Sequence, residues 1–194
     1  MNGTSKTVVL TGLATLVAAG ILYSGLINVG ADDPHLAPVY ALLNMARERS
    51  IAIRARGIVV PDLGNEAQIR AGAGNYDSMC VGCHLSPGMA PTELSRNLYP
   101  APPSLVRLGV DGDPAKAFWI IKHGIKATGM PAWGKSMADE HIWALVAFIE
   151  RLPQLDPQSY RALVASSGGH RHGGGETQIH HRHADDLPAE DHEH

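Results

Sequence analysis

The chain has 194 residues, 44% of them hydrophobic, and a formal net charge of −3. This length suits one compact domain with extensions rather than two full domains. There is no basic excess of the kind that nucleic-acid binding requires, so no nucleic-acid partner is expected.

The first predicted element is an uncharged apolar run from Thr7 to Val29. A helix needs about 20 apolar residues to span a hydrocarbon core, whereas the apolar region of a signal peptide has only about 7–15. The run therefore favours a retained membrane anchor over residues 1–30. Lys6 before the run and Asp32 beyond it fit an orientation with the N-terminus inside. A cleaved signal peptide, with a V-x-A site ending at Ala31, is the alternative.

A juxtamembrane connector is predicted over residues 31–64. Its apolar residues recur at helical spacing, and arginines are interleaved with them. The apolar residues are Val39, Leu42, Leu43, Ala46, Ile51 and Ile53, and the arginines are Arg47, Arg49, Arg54 and Arg56. One interpretation is an arm that lies on the lipid surface or binds a partner subunit. The interpretation favoured here is a helix with a solvated basic face, packed on the domain that follows.

Residues 80–84 have the sequence Cys-Val-Gly-Cys-His, the C-x-x-C-H spacing at which haem is attached covalently. Two thiols three positions apart share one side of a helical turn, and the next residue is held under the porphyrin. The motif predicts one covalent haem c, with Cys80 and Cys83 as thioethers and His84 as the proximal iron ligand. A zinc site would need a second pair of ligands, and the chain has no other cysteine. A redox dithiol would need a βαβ setting, which is not indicated.

The predicted haem domain covers residues 65–155 and is all-α. Asn65 is expected to cap the helix that runs to the haem motif. Asp113-Pro114 is an N-cap followed by proline at the first helical position, and Gly124 should end that helix. A last helix is expected from Ala138 to Leu152, because its apolar residues recur at helical spacing. Nothing in this segment alternates like a strand.

These motifs resemble the class I cytochromes c, in particular the membrane-anchored monohaem type found as electron carriers or as subunits of bacterial oxidases and dehydrogenases. The resemblance covers about residues 65–155. It is carried by the C-x-x-C-H motif, by Pro-Pro-Ser-Leu at 102–105 and by Thr-Gly-Met-Pro-Ala-Trp at 128–133. It implies that the Pro103 carbonyl accepts a hydrogen bond from the His84 ring, that Leu105 lines the haem, and that Gly72 and Tyr76 pack against the last helix. It also implies export, because haem of this type is attached outside the bacterial cytoplasmic membrane.

The resemblance identifies Met130 as the distal iron ligand. The residues support this assignment, since a distal ligand belongs on a loop far from His84, and Gly129 and Pro131 make that loop tight. The rivals, each less well placed in the sequence, are Met79, Met89, Met137 and His123.

His/Met ligation leaves no iron position open to oxygen or peroxide, so the haem is expected to relay single electrons rather than to perform catalysis. The predicted protein is a periplasmic electron carrier, free or part of a respiratory or dehydrogenase complex, with redox proteins at the membrane as partners. Three lysines that flank the distal loop either dock an acidic partner or form a solvated rim; these are Lys122, Lys126 and Lys135. A haem enzyme or gas sensor is an alternative function.

A linker and a His-rich tail are predicted over residues 156–194. The tail has almost no apolar residues and is expected to be disordered. H-x-H pairs among carboxylates suit Cu, Ni or Zn; the candidate ligands are His170, His172, His180, His181, His183, His192 and His194. A metal-handling protein that uses this tail is therefore a second alternative, and a solvated tail that responds to pH is the other interpretation.

Overall fold

A computed structural model describes residues 3–170, and within this range all regular structure is helical. The prediction of an all-α fold is therefore confirmed. The helices are α1 (Gly3–Tyr23), α2 (Ala37–Ala55), α3 (Glu66–Met79), α4 (Val81–His84), α5 (Glu93–Asn97), α6 (Leu105–Leu108), α7 (Pro114–His123), α8 (Asp139–Arg151) and α9 (Pro157–Ala165). Short 3₁₀ turns lie at Trp133–Lys135 and Leu152–Gln154.

Helix α1 has 21 residues, none of them buried. At 1.5 Å per residue it is about 31 Å long, close to the thickness of a hydrocarbon core. By length and composition it could cross a membrane, and a signal sequence would meet the same criterion. The helix ends six residues before the predicted apolar run does, because Gly25 adopts a positive φ of 73° that breaks the helical path.

The core is built on the crossing of α3 and α8. Gly72 lies at this crossing, where a Cβ atom would be only 2.0 Å from the carbonyl oxygen of Ala144. Tyr76, one turn later in α3, is fully buried and its ring lies 5.2 Å from that of Phe148. The expected packing of Gly72 and Tyr76 against this helix is therefore present in the structure.

The caps predicted from the sequence are observed. The Asn65 side chain accepts hydrogen bonds from the backbone N–H groups of Ala67 and Gln68 at the start of α3. The Asp113 side chain accepts from Lys116 N–H at the start of α7, and Gly124 ends that helix with a φ of 63°.

Helix α2 packs against α7, and it does so through Ile51 and Ala55, which are buried. The connector thus contains a long helix that contacts the helical core at its C-terminal end. Its first half, by contrast, is exposed around its whole circumference up to Leu43.

Helix α9 was not predicted, since residues from 156 onward were assigned to a linker. It packs against α3, and its Tyr160 is buried and donates a 2.8 Å hydrogen bond to Oδ1 of Asp77. The helical core therefore continues to at least Ala165. Of the predicted tail ligands, His172, His180, His181, His183, His192 and His194 lie outside the described residues, and His170 is the last residue described.

Candidate functional site

The two cysteines and the histidine of the haem motif share one turn of helix. Cys80 ends α3, and the backbone N–H groups of Cys83 and His84 both point to its carbonyl oxygen, at 3.1 Å and 2.9 Å. The two cysteines are half-buried free thiols. Burial, followed by the proximity of Cys83, raises the pKa of Cys80 to about 12, so this group is a neutral thiol at neutral pH.

The His84 ring is oriented by a backbone carbonyl. Its Nδ1 lies 2.9 Å from the carbonyl oxygen of Pro103, just before α6. A carbonyl only accepts hydrogen bonds, so Nδ1 carries the proton and the lone pair is on Nε2. Burial lowers the pKa of His84, and this effect outweighs the opposite effect of the Pro103 hydrogen bond. The imidazole is therefore neutral, in the tautomer that binds a metal through Nε2.

Leu85, directly after His84, has an unfavourable backbone conformation. Its φ of 65° and ψ of 169° lie in a region that is essentially restricted to glycine and costs about 1–3 kcal/mol for other residues. Two hydrogen bonds stabilise it: its N–H donates to Val81 O at 2.9 Å, and its carbonyl accepts from the Tyr76 hydroxyl at 2.7 Å. Tyr76 thus fixes the exit of the chain from the haem motif, a role that its spacing in the sequence did not indicate.

Thr92 supports the haem motif from a second side. Its hydroxyl donates a 2.6 Å hydrogen bond to the carbonyl of Gly82, between the two cysteines, and accepts from the N–H of Ser95 as the cap of α5. Sequence analysis missed this residue. The T-x-x-S spacing predicts a cap, but nothing local predicts that the same hydroxyl contacts Gly82.

Met130 lies on a loop held by backbone hydrogen bonds. The N–H of Ile125 donates to Met130 O at 3.2 Å, and the hydroxyl of Thr128 accepts from Met130 N–H at 3.1 Å. Gly124 packs closely against this loop, because a Cβ there would be only 2.7 Å from Met130 O. The Met130 side chain is half-buried and packs against the core, as do Cys80 and Leu105.

The rival distal ligands occupy different surroundings. Met137 is buried in the core, with 4% of its surface exposed, and Met79 packs against the core from α3. Met89 is 40% exposed. His123 is exposed at the end of α7, with its ring 4.9 Å from that of Trp119. Met130 thus differs from these rivals in lying on a constrained loop at the edge of the core.

One of the three lysines near the distal loop is already paired. Lys122 Nζ lies 2.7 Å from a carboxylate oxygen of Asp139 and 5.4 Å from the ring centre of Phe118. This ion pair joins α7 to the start of α8. Lys126 and Lys135 are exposed, so they carry what remains of the predicted cationic rim.

The donor set fits a covalently attached haem. Two thiols that are not in a disulfide, an imidazole with its metal-binding nitrogen unprotonated, and a thioether at the core edge are the groups that haem c uses. A zinc-type site is less well supported: within residues 3–170 no three side chains of His, Cys, Asp or Glu are grouped so that they could hold a metal ion.

Part of the chain is similar to a known protein family. Residues 67–149 match the family model described as cytochrome C oxidase, cbb3-type, subunit III. The match begins in α3, ends in α8, and includes both the C-x-x-C-H motif and the Met130 loop. No curated protein and no solved structure matches the chain. Over these residues, less than half of the chain, the protein is similar to a subunit of a cytochrome c oxidase.

Proposed function

We propose that the chain is a membrane-anchored c-type cytochrome of the bacterial cytoplasmic membrane, with its haem domain in the periplasm. It carries single electrons, either free or as a subunit of a respiratory or dehydrogenase complex. The observation that carries this proposal is the His84–Pro103 contact, which leaves Nε2 free as a ligand on the same turn as Cys80 and Cys83. The name of the matched family, an oxidase subunit, supports the subunit alternative.

Each residue of the site has a separate role. Cys80 and Cys83 would hold the haem through thioether bonds, and His84 Nε2 and the Met130 sulfur would bind its iron. When bound, the haem supplies a one-electron Fe(III)/Fe(II) couple. The Pro103 carbonyl fixes the imidazole ring and increases its basicity as a ligand, and Leu105 covers the pocket at the start of α6. With His84 and Met130 both bound to the iron, no position would be left for a substrate, so the protein would act as a carrier rather than an enzyme.

The distal assignment is tested by comparing Met130→Ala with Met89→Ala, a methionine that is 40% exposed and lies outside the core. Met130→Ala should keep the haem covalently attached but lose the weak far-red absorption band of methionine-ligated Fe(III). The reduction potential should also fall, because the thioether favours Fe(II). Met89→Ala should resemble the wild type. An unchanged spectrum in Met130→Ala would remove Met130 from the iron.

Covalent attachment is tested on the wild-type protein. Denatured protein should retain its haem when extracted with acidified organic solvent, and Cys80→Ala and Cys83→Ala should each remove one thioether bond. Release of the haem from the wild type would contradict the proposal.

The anchor is proposed from the length of α1 and from the uncharged run of residues 7–29. Mass spectrometry of the native protein should find an N-terminus upstream of α1 in the membrane fraction. A soluble periplasmic form that starts at Asp32 would show that residues 1–31 are a cleaved signal peptide.

A second candidate function concerns the tail, where three H-x-H pairs lie among glycine and carboxylates. We propose that it binds Cu, Ni or Zn weakly at several sites and releases them below about pH 6, since only neutral imidazole is a ligand. A synthetic peptide of residues 166–194, titrated by calorimetry at about pH 7.5, tests this directly. The absence of metal-dependent heat would leave a solvated tail.

A further inference from the structure

Helix α2 has a second face that the helical core does not cover. Ile51 and Ala55 point to α7, whereas positions about half a turn away point outward. This outward face is apolar along most of its length and comprises Val39, Leu42, Met45, Ala46 and Ile53. Leu42 is 60% and Ile53 54% exposed, values that are high for large aliphatic side chains sharing one face.

The charges on the outward face are all positive. Arg49 and Arg56, seven residues apart, fall on it by helical periodicity and are exposed. The one carboxylate of α2, Glu48, lies nearer the packed side and pairs with Arg47 at 3.2 Å. Apolar residues interleaved with arginines are typical of helices at the lipid headgroup level, where arginine stems pack on apolar surface and the guanidinium groups reach phosphates.

The helix is also close to α1 along the chain, and it starts at a fixed point. The His35 backbone N–H donates to the Tyr99 hydroxyl at 3.1 Å, and the two rings stack with centres 5.4 Å apart. This contact attaches the connector to the helical core just before α2. Only residues 24–34 remain between it and the end of α1, and an extended segment of that length spans at most about 40 Å.

We infer that the outward face of α2 lies in the headgroup region of an anionic lipid bilayer and holds the haem domain with α7 towards the membrane. The inference deepens the proposed function and rests on the anchoring proposed there. The anionic lipid is chosen over a protein partner because the exposed arginines have no carboxylates beside them on that face. Since α7 leads into Gly124 and the Met130 loop, this placement brings that end of the domain towards the lipid.

The test uses the full-length holo-protein, one copy per nanodisc, in phosphatidylglycerol bilayers. In the holo-protein both natural cysteines are thioethers, so Leu42→Cys gives a single site for a nitroxide label. A label in lipid collides more often with oxygen than with a water-soluble nickel chelate. We expect the ratio of oxygen to nickel accessibility at position 42 to be severalfold higher than for the same label at Glu150→Cys, an exposed position of α8. Leu16→Cys in α1 reports the anchor separately.

Neutralising the arginines tests the chemistry of the contact. Arg49→Gln and Arg56→Gln should each lower the ratio of immersed to solvent-exposed label about fivefold, as expected for one basic residue near an anionic surface. Arg161→Gln, at an exposed position of α9, is the matched control and should change nothing. Phosphatidylcholine nanodiscs should reproduce the effect of neutralisation.

The outcomes separate this inference from the anchor. A water-like label at position 42 together with a lipid-like label at position 16 overturns the inference and leaves the anchor. Water-like labels at both positions overturn both. A label at position 42 that is shielded from both reagents indicates a protein contact and overturns the lipid assignment.

Discussion

Replacing Gly72 by alanine should force α3 and α8 apart. An ideal Cβ at this position would lie 2.0 Å from the Ala144 carbonyl oxygen and 2.8 Å from Phe148 Cβ, whereas ordinary contact begins at 3.4 Å. The helices would have to separate by about 1.4 Å, the difference between 3.4 Å and 2.0 Å. The main obstacle is backbone, which cannot move aside as a flexible side chain can.

The net cost follows from two opposing effects. Overpacking costs about 1–3 kcal/mol, and a clash with backbone belongs at the upper end of that range. Alanine gains about 1 kcal/mol over glycine in a helix interior, which offsets part of the cost. The free energy of unfolding should therefore fall by about 2 kcal/mol, and the Tm of a domain of about 100 residues by about 10 °C.

The assay is thermal unfolding of the purified holo-protein, followed by far-ultraviolet circular dichroism. Gly57→Ala is the control, because a Cβ there would meet nothing within 4 Å; its Tm should stay the same or rise. Adding Ala144→Gly to the Gly72 variant should not restore stability, since the atom in the way is a carbonyl oxygen. An unchanged Tm in Gly72→Ala would refute the account of the crossing.

Tyr76→Phe removes the hydroxyl that donates to Leu85 O, and it should lower the free energy of unfolding by about 1–3 kcal/mol in a denaturant titration, because the carbonyl loses its partner. Gly124→Ala should weaken the far-red band of methionine-ligated Fe(III) and lower the reduction potential, because the new Cβ would displace the Met130 loop. The control is Gly112→Ala, which is also at a positive φ but where a Cβ would meet no atom within 4 Å. It should lower the stability of the fold without changing the spectrum. The pKa of Asp156 is lowered chiefly by the hydrogen bond from the Ser159 backbone. The ionised Asp156 carboxylate therefore contributes to the stability of the fold above its ordinary pKa of about 4, and this contribution is lost as the pH falls through the lowered pKa. Asp156→Asn cannot titrate, so any Tm advantage of the wild type over it at neutral pH should shrink as the pH falls below the ordinary pKa of about 4. A difference in Tm that stays constant with pH would contradict this reasoning.

The features predicted correctly are those encoded within a few residues. The helix N-termini at Asn65 and at Asp113-Pro114 were predictable, because an N-cap side chain accepts hydrogen bonds from N–H groups only two or three residues away. The pair Asp156-Pro157 carries the same signal before α9, and Tyr160, Leu163 and Val164 then follow at helical spacing. We did not predict α9, because residues from 156 onward were grouped with the polar tail that follows the helix.

Distant contacts other than those implied by the family resemblance were not predictable from the sequence. The positive φ of Leu85 has no local signal, since a leucine there is unfavourable by itself and is tolerated only because Tyr76 reaches its carbonyl from nine residues away. The contact of His35 with Tyr99 joins positions 64 residues apart. Similarly, Leu98 lies against Gly129, and a Cβ at position 129 would be 2.7 Å from the Leu98 side chain. Nothing in the sequence near either residue predicts this contact.

Different interactions fix the two sides of the proposed haem site, so substitutions on each side should have different effects. On the proximal side, hydrogen bonds to backbone carbonyls hold the motif: Pro103 O orients His84, and Tyr76 and Thr92 fix the chain around it. Losing one such bond would loosen the turn, but in the proposed haem site the thioethers would still keep the imidazole near the iron. On the distal side, the position of Met130 depends on the close approach of Gly124, which no larger residue can reproduce. Damage to the proximal side should therefore shift stability gradually, whereas damage to the distal side should release the ligand.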